Sequence, residues 1–180
     1  AYRNGKPGGV YSIAGHEPCG VVVAVGPGVS ARQAKIGARV MVHHYDGCGV
    51  CQHCRTGWTQ ICDDGSISYG SGKADGGHAR YMKVPAHTLL PLPDDVTFTT
   101  GAAISCGTGT AYAALKRLGL QGDETVTIFG QGPVGLSATQ FAVAMGARVI
   151  AIETSPERRQ LALDLGADVA LDPGAVDTVA

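Results

Sequence analysis

The run TVTIF at 125–129 is followed at once by GQGPVGLSATQFAVAMGA and then by RVIAIE at 148–153. This pattern constrains the fold more than anything else in the chain. A short apolar strand, a glycine-rich turn opening a helix, and a second β-branched strand form a strand–helix–strand unit. SPERRQLALDLGA then predicts a second helix, with Ser155 as N-cap and Pro156 at its first position. DVALD at 168–172 predicts a third strand. Together these make one half of a doubly wound dinucleotide-binding fold.

The turn itself reads Gly130-x-Gly132-x-x-Gly135. A bare G-x-G-x-x-G says little, but here it leaves a strand and enters a helix, which is the context the fingerprint requires. The first glycine makes the tight turn and the second lets the backbone approach a pyrophosphate. The third lets the helix pack on the strand, and the helix N-terminus favours the diphosphate charge. Glu153 ends the second strand, 18 residues beyond Gly135. An acid there accepts hydrogen bonds from an adenosine ribose and repels a 2′-phosphate, so NAD is expected over NADP. Arg158, one turn into the next helix, is placed to reach the same ribose or to stand as a solvated charge.

A second constraint is GCGVCQHCRTGWTQIC at 47–62, with Cys48, Cys51, Cys54 and Cys62 spaced C-x2-C-x2-C-x7-C. Four thiolates at this spacing suit tetrahedral zinc with every position filled, which leaves no place for substrate. The loop metal is therefore expected to be structural. The chain has six cysteines in all, but no apolar h-region at its start, so metal is expected rather than a secreted disulfide framework. The cytoplasm is the expected compartment. Lys plus Arg number 14 against 15 Asp plus Glu, a balance with no footprint for nucleic acid or an anionic membrane. Within the loop only Arg55 is a fixed positive charge, which argues against a nucleic-acid-binding zinc ribbon.

The first hundred residues read as short strands and turns. GVVVAV (20–25), ARVMVHHY (38–45), HARYMKV (78–84) and HTLLPL (87–92) are candidate strands of a small, partly open β-barrel. The polar, glycine-rich 63–77 is an excursion from it. Residues 99–119 predict two helical stretches broken near 105–109. Cys19, His43, His44, His78 and His87 read as ordinary structural positions.

His16 and Glu17 stand just before a strand, and Cys106 lies ninety residues after His16. A His, an acid and a Cys that can converge beside a dinucleotide fold suggest an open metal site of the catalytic type. On residue types alone, a core histidine and a core cysteine are the commoner case.

The order of these motifs resembles the zinc-dependent medium-chain alcohol dehydrogenase family. G-H-E-x2-G-x5-G-x2-V is met from Gly15 to Val29. The four-cysteine loop follows, then Cys106 in SCGTGT, then the glycine-rich turn, and the likeness covers essentially the whole chain. The resemblance implies a GroES-like β-barrel domain over 1–104, then the first half of a Rossmann domain over 105–180. It implies that His16 and Cys106 bind a catalytic zinc with Glu17 beside it, and that Cys48, Cys51, Cys54 and Cys62 bind a structural zinc. It further implies that Thr110 touches the nicotinamide and that Pro133 and Val134 line the dinucleotide turn.

The implied activity is transfer of hydride from an alcohol to NAD, in a homo-oligomer of the intact protein. Cys106 leans toward a simple alcohol–aldehyde pair, because some polyol-type relatives carry an acid there. The family's further zinc-binding Cys and its proton-relay hydroxyl lie upstream of the G-H-E signature, whereas residues 1–15 contain no Cys. Gly37-Ala38 replaces the usual Gly-Asp. A piece of a longer chain is therefore expected, itself inactive. The alternative is a non-catalytic module that binds zinc and nucleotide. A zinc-free quinone reductase of the same superfamily would lack both the His16–Glu17 pair and the cysteine loop.

Overall fold

The structure is a computed structural model that describes residues 2–3, 11–71 and 74–178. The ends of both expected domain spans, and residues 72–73 of the glycine-rich excursion, lie outside the described residues. The chain divides into two compact units, Ala1–Cys106 and Gly107–Ala180.

The first unit is built from small antiparallel sheets. β1 (Tyr2–Arg3) pairs with β2 (Tyr11–Ser12). β3 (Cys19–Val21), β4 (Arg39–Val42) and a later strand form a three-stranded sheet with β4 in the centre. β5 (Tyr45–Asp46) follows. The cysteine loop then carries the short helix α1 (Gln52–Arg55) and a 3₁₀ turn at Thr59–Ile61. β6 (Ile67–Ser68) returns to pair with β5, and β7 (Leu89–Pro91) completes the three-stranded sheet. Pro91 is tolerated because β7 is an edge strand. Along β4 the alternation is regular: Val40 and Val42 are buried, and the next inward position is His44. The alternation thus turns a polar ring into the protein just beyond the strand.

Two expected strands differ. GVVVAV pairs only as far as Val21 in β3, with last contacts at Val22, whose N–H donates to the Ala38 carbonyl at 3.0 Å and whose carbonyl accepts from the Gly37 N–H at 2.8 Å. Val23 is left 61% exposed, since no described strand lies on its other side. HARYMKV forms no strand, because β7 takes β4 as its partner rather than 78–84. Instead the backbone of 76–78 runs against 13–15. The N–H groups of Gly76, Gly77 and His78 donate to Ile13, Gly15 and Ala14 at 2.8, 2.7 and 2.9 Å.

The expected break at 105–109 is also absent. α2 (Phe98–Ala103), capped by the Thr97 hydroxyl on the Thr100 N–H, runs into a π-helical turn at Ile104–Thr108. That turn runs into α3 (Gly109–Leu118), so helical backbone is continuous. A π turn inserts a residue without ending the helix, so the small and glycine-rich SCGTG segment widens the coil rather than stopping it. Gly119 closes α3 in the left-handed conformation, φ +71°.

The second unit is the α/β half. β8 (Thr125–Phe129), α4 (Pro133–Ala144), β9 (Arg148–Ile152), α5 (Pro156–Asp164) and β10 (Val169–Leu171) follow in order. The three strands are parallel, in the spatial order β10-β9-β8. This is the arrangement of one mononucleotide-binding half of a doubly wound sheet. Its core gathers Leu115, Ala142, Val149, Ala151, Ala162 and Ala167. The alanines let α4 and α5 lie close on the sheet, and Val149 and Leu115 supply the larger apolar area. The Ser155 side chain caps α5 by accepting from the Arg158 N–H at 3.3 Å, as the sequence predicts.

Candidate metal centres and dinucleotide turn

His16 follows Gly15, whose φ of +99° lies in the left-handed region. A Cβ at Gly15 would stand 2.5 Å from the His78 ring. A Cβ at Gly70 would stand 2.5 Å from the Gly15 carbonyl oxygen, and one at Gly76 would strike the same oxygen. Three backbone segments thus cross here with glycine at each contact, and His16 and Glu17 follow the crossing, both exposed. Cys106 arrives from the π turn. A ring nitrogen of His16, a Glu17 carboxylate oxygen and Cys106 Sγ lie within 4.8 Å of one another. Burial pushes the Cys106 thiol up, and the neighbouring Glu17 carboxylate adds to the shift. A nitrogen, an oxygen and a sulfur converging with a side left open suit zinc of the catalytic kind.

His44, expected at an ordinary strand position, packs edge-on against His16 with ring centroids 5.1 Å apart. It is only 5% exposed. Its pKa is lowered to about 4 by burial first, then by the charges of His16 and His43, while hydrogen bonding with the Ser105 backbone opposes the shift. The ring is therefore neutral at physiological pH. The β4 alternation signals that His44 points inward; nothing in its local sequence signals that His16 is its neighbour.

The second donor group is Cys48, Cys51, Cys54 and Cys62, again within 4.8 Å of one another. Backbone N–H groups point at the sulfurs: Cys48 N–H to Cys62 Sγ at 3.3 Å, Cys51 N–H to Cys48 Sγ at 3.3 Å, and Cys54 N–H to Cys51 Sγ at 3.4 Å. The last of these is the main reason the Cys51 thiol is lowered to about 7. Such donors favour thiolate, the form a metal needs. A Cβ at Gly47 would sit 2.6 Å from Cys54 Sγ, so the loop closes over its sulfurs only with glycine there. Four sulfurs so packed fit a closed tetrahedral zinc site. His53 stands outside the group, 3.6 Å from Asp63. His43 donates to or accepts from the Thr59 hydroxyl at 2.8 Å, and His87 meets Asp46 at 2.8 Å; both contacts brace the loop.

In the second unit, Gly130 takes φ +85° and its N–H donates to the Ile152 carbonyl at 2.7 Å. A Cβ at Gly135 would strike the Gly130 carbonyl oxygen, so the third glycine lets α4 pack against the turn. A Cβ at Gly132 would meet nothing within 4 Å, and no side chain caps α4. Open space at a helix N-terminus suits a pyrophosphate. Pro133 is the first residue of α4, and Val134 and Thr110 are exposed, Thr110 in the first turn of α3.

Glu153 follows β9 and is 8% exposed. Its carboxylate accepts from the Ser155 N–H at 3.0 Å and the Gln131 N–H at 2.7 Å, which hold its pKa down to about 2. Arg158 lies 3.9 Å from it. Gln131, not foreseen from sequence, is fully buried and takes the Thr139 hydroxyl on its side-chain oxygen at 2.9 Å. As an unspecified x in the fingerprint, it carries no motif signal.

Antiparallel sheets with a four-sulfur loop and an N/O/S donor set, followed by half of a doubly wound sheet, are the build of the zinc-binding dehydrogenases. Residues 2–94 match the family profile of the alcohol dehydrogenase GroES-like domain, and residues 133–180 match that of the zinc-binding dehydrogenases. The chain belongs to the zinc-type medium-chain alcohol dehydrogenase family. It is 44% identical over 156 residues to a zinc-type alcohol dehydrogenase-like protein of Escherichia coli, covering 86% of this chain and 43% of that one. It is 41% identical over 161 residues to an alcohol dehydrogenase of Geobacillus stearothermophilus, covering 89% and 46%. Among solved structures it is similar to the acetophenone reductase of Geotrichum candidum in complex with NAD. That match has a TM-score of 0.80 and 37% identity, covering 89% of this chain and 47% of that chain. The chain thus spans about half the length of the curated relatives it matches.

Proposed function

We propose that this chain is part of an enzyme that oxidises an alcohol to an aldehyde or ketone with transfer of hydride to NAD. The observation that carries the reading is the convergence of His16, Glu17 and Cys106 within 4.8 Å on an open side. When bound there, zinc supplies Lewis acidity that lowers the pKa of an alcohol oxygen.

His16 and Cys106 would hold the metal, with Glu17 beside it as an occasional ligand. Cys48, Cys51, Cys54 and Cys62 hold a second, structural ion and take no part in the reaction. Gly130, Gly132 and Gly135 shape the turn for the pyrophosphate, lined by Pro133 and Val134, and Thr110 positions the nicotinamide. Glu153 accepts from the ribose hydroxyls; its ionised carboxylate disfavours a 2′-phosphate, which supports NAD over NADP. Arg158 flanks that ribose. Residues 1–104 form the metal-binding domain and 105–180 the dinucleotide-binding one.

No described helix is long and apolar enough to cross a membrane. The C-x-x-C spacing, which suits metal rather than disulfides, supports a cytoplasmic location, and a homo-oligomer is the assembly we assign. The test is zinc content and NADH formation in the full-length protein with Cys106→Ser and Cys48→Ser variants. We expect C106S to lose one zinc and nearly all turnover while keeping the other ion. A C106S protein with wild-type zinc and rate would refute the assignment.

A further inference from the structure

Two consecutive arginines near the start of α5 are placed differently. Arg158 is exposed and lies 3.9 Å from the Glu153 carboxylate. Arg159 is half-buried and reaches back over the start of its own helix. Its Nη1 donates to the Glu153 carbonyl and to the Thr154 carbonyl, both at 2.7 Å. The same nitrogen lies 3.1 Å from Asp172 Oδ2. Asp172 follows β10, and its other oxygen accepts from the Gly174 N–H at 2.9 Å. Arg159 thus joins the segments that leave two neighbouring parallel strands, β9 and β10, at their carboxyl ends. That is the edge at which a doubly wound sheet takes its dinucleotide.

A cation near the start of a helix opposes the helix dipole. Asp172 and the two carbonyls offset that opposition, and what the contacts fix is the backbone that carries Glu153. A carboxylate has about four acceptor sites. Three are taken, by the Gln131 N–H at 2.7 Å, the Ser155 N–H at 3.0 Å and the Thr154 hydroxyl at 3.2 Å. About one is left for a ribose hydroxyl. Its direction follows the backbone of 153–155, which Arg159 grips from the carbonyl side. A site with so little spare capacity depends on the groups that support it.

We propose that Arg159, anchored by Asp172, is a positioning residue for the adenosine half of the dinucleotide. It holds the backbone of 153–154 so that the remaining acceptor site of Glu153 meets a ribose hydroxyl, and it acts through Glu153 alone. This rests on the NAD reading above and adds to it a residue that the glycine-rich turn and the strand-end acid do not include.

The test compares NAD with its 2′-deoxyadenosine analogue in the zinc-loaded, full-length protein. The readouts are the dissociation constant of each by calorimetry, the KM for NAD against kcat, and amide hydrogen exchange at Ser155 without nucleotide. We expect wild type to prefer NAD by at least about tenfold, the worth of one hydrogen bond to a charged group. Arg159→Met should remove most of that preference by weakening NAD while the analogue binds as before. KM for NAD should rise more than kcat falls, and the Ser155 amide should exchange faster. Arg159→Lys, which keeps a cation with several donors, should retain part of the preference, and Asp172→Asn should fall between R159M and wild type.

A wild-type preference that R159M keeps, or Ser155 exchange that R159M leaves unchanged, overturns the proposal and leaves the ribose role of Glu153 standing. Equal loss on both nucleotides, with Lys no better than Met, would make Arg159 a general support for α5 and also overturn it. Should wild type bind both nucleotides alike, the ribose role of Glu153 fails first and the proposal falls with it. Should R159M not fold, D172N decides by the same ratio.

Discussion

Replacing Gly47 with Ala should weaken metal binding at the four-cysteine loop without any backbone conflict. Gly47 is not among the glycines of positive φ, so alanine can adopt its conformation. The obstacle is space. The new methyl carbon would lie 2.6 Å from Cys54 Sγ, 3.1 Å from Cys62 Cβ and 3.4 Å from Cys62 Sγ. Ordinary contact between such atoms begins near about 3.5 Å, so Cys54 must retreat by about 1 Å. Zinc–sulfur bonds are held near about 2.3 Å in a tetrahedron, so two of the four ligands cannot give way together. Overpacking of this kind costs about 1–3 kcal/mol. Borne by the metal-bound state, that is roughly a 5- to 150-fold loss of zinc affinity. Competition against a chromophoric chelator reads it directly, with elemental analysis giving zinc per chain. Gly20→Ala is the control, since a Cβ there meets nothing within 4 Å. A G47A protein that holds zinc as tightly as wild type would falsify the idea that these four sulfurs close on one ion.

Gly135→Ala should destabilise the second unit by about 3 kcal/mol and abolish detectable NAD binding, because its Cβ meets the Gly130 carbonyl; thermal melts and dinucleotide titration check both. Leu115→Ala, at a core position 3% exposed, should cost about 3 kcal/mol of stability by urea unfolding, and a loss under about 1 kcal/mol would contradict its place in the core. Glu153 predicts a pH dependence. Its folded pKa, about 2, lies below the ordinary value of 4.5, so its contribution is complete above the ordinary value. That contribution is lost as pH falls toward the folded value. Carboxyl titration by NMR should find it ionised at pH 3.5, and a midpoint at or above the ordinary value would show that the Ser155 and Gln131 N–H groups do not hold it.

What was legible in the sequence was legible for local reasons. The turn from Gly130 to Gly135, the Ser155 cap and the three parallel strands each rest on signals within a few residues of one another. The cysteine loop is likewise contained in sixteen residues. The strand expected over 20–25 was misread because a β-branched run states only a willingness to pair. Whether a partner lies alongside depends on distant segments, and for Val23 none of the described ones does. The 105–109 segment was misread because small residues and glycines weaken an α-helix in the same way whether it ends or widens into a π turn.

The candidate metal site shows the same division within a single motif. G-H-E reads as a signature, yet the local chain does not explain why Gly15 must be glycine. The reason lies at His78, Gly70 and Gly76, more than fifty residues away, where the backbone of 13–15 is gripped by that of 76–78. His44 stands at the opposite extreme. The two-residue period of β4 points it inward, but only the fold puts His16 against its ring and the Ser105 backbone within hydrogen-bond reach. A histidine pair after a strand therefore reads as ordinary packing until the crossing that positions His16 is known. A buried histidine can be silent in sequence for this reason: its neighbours belong to another motif.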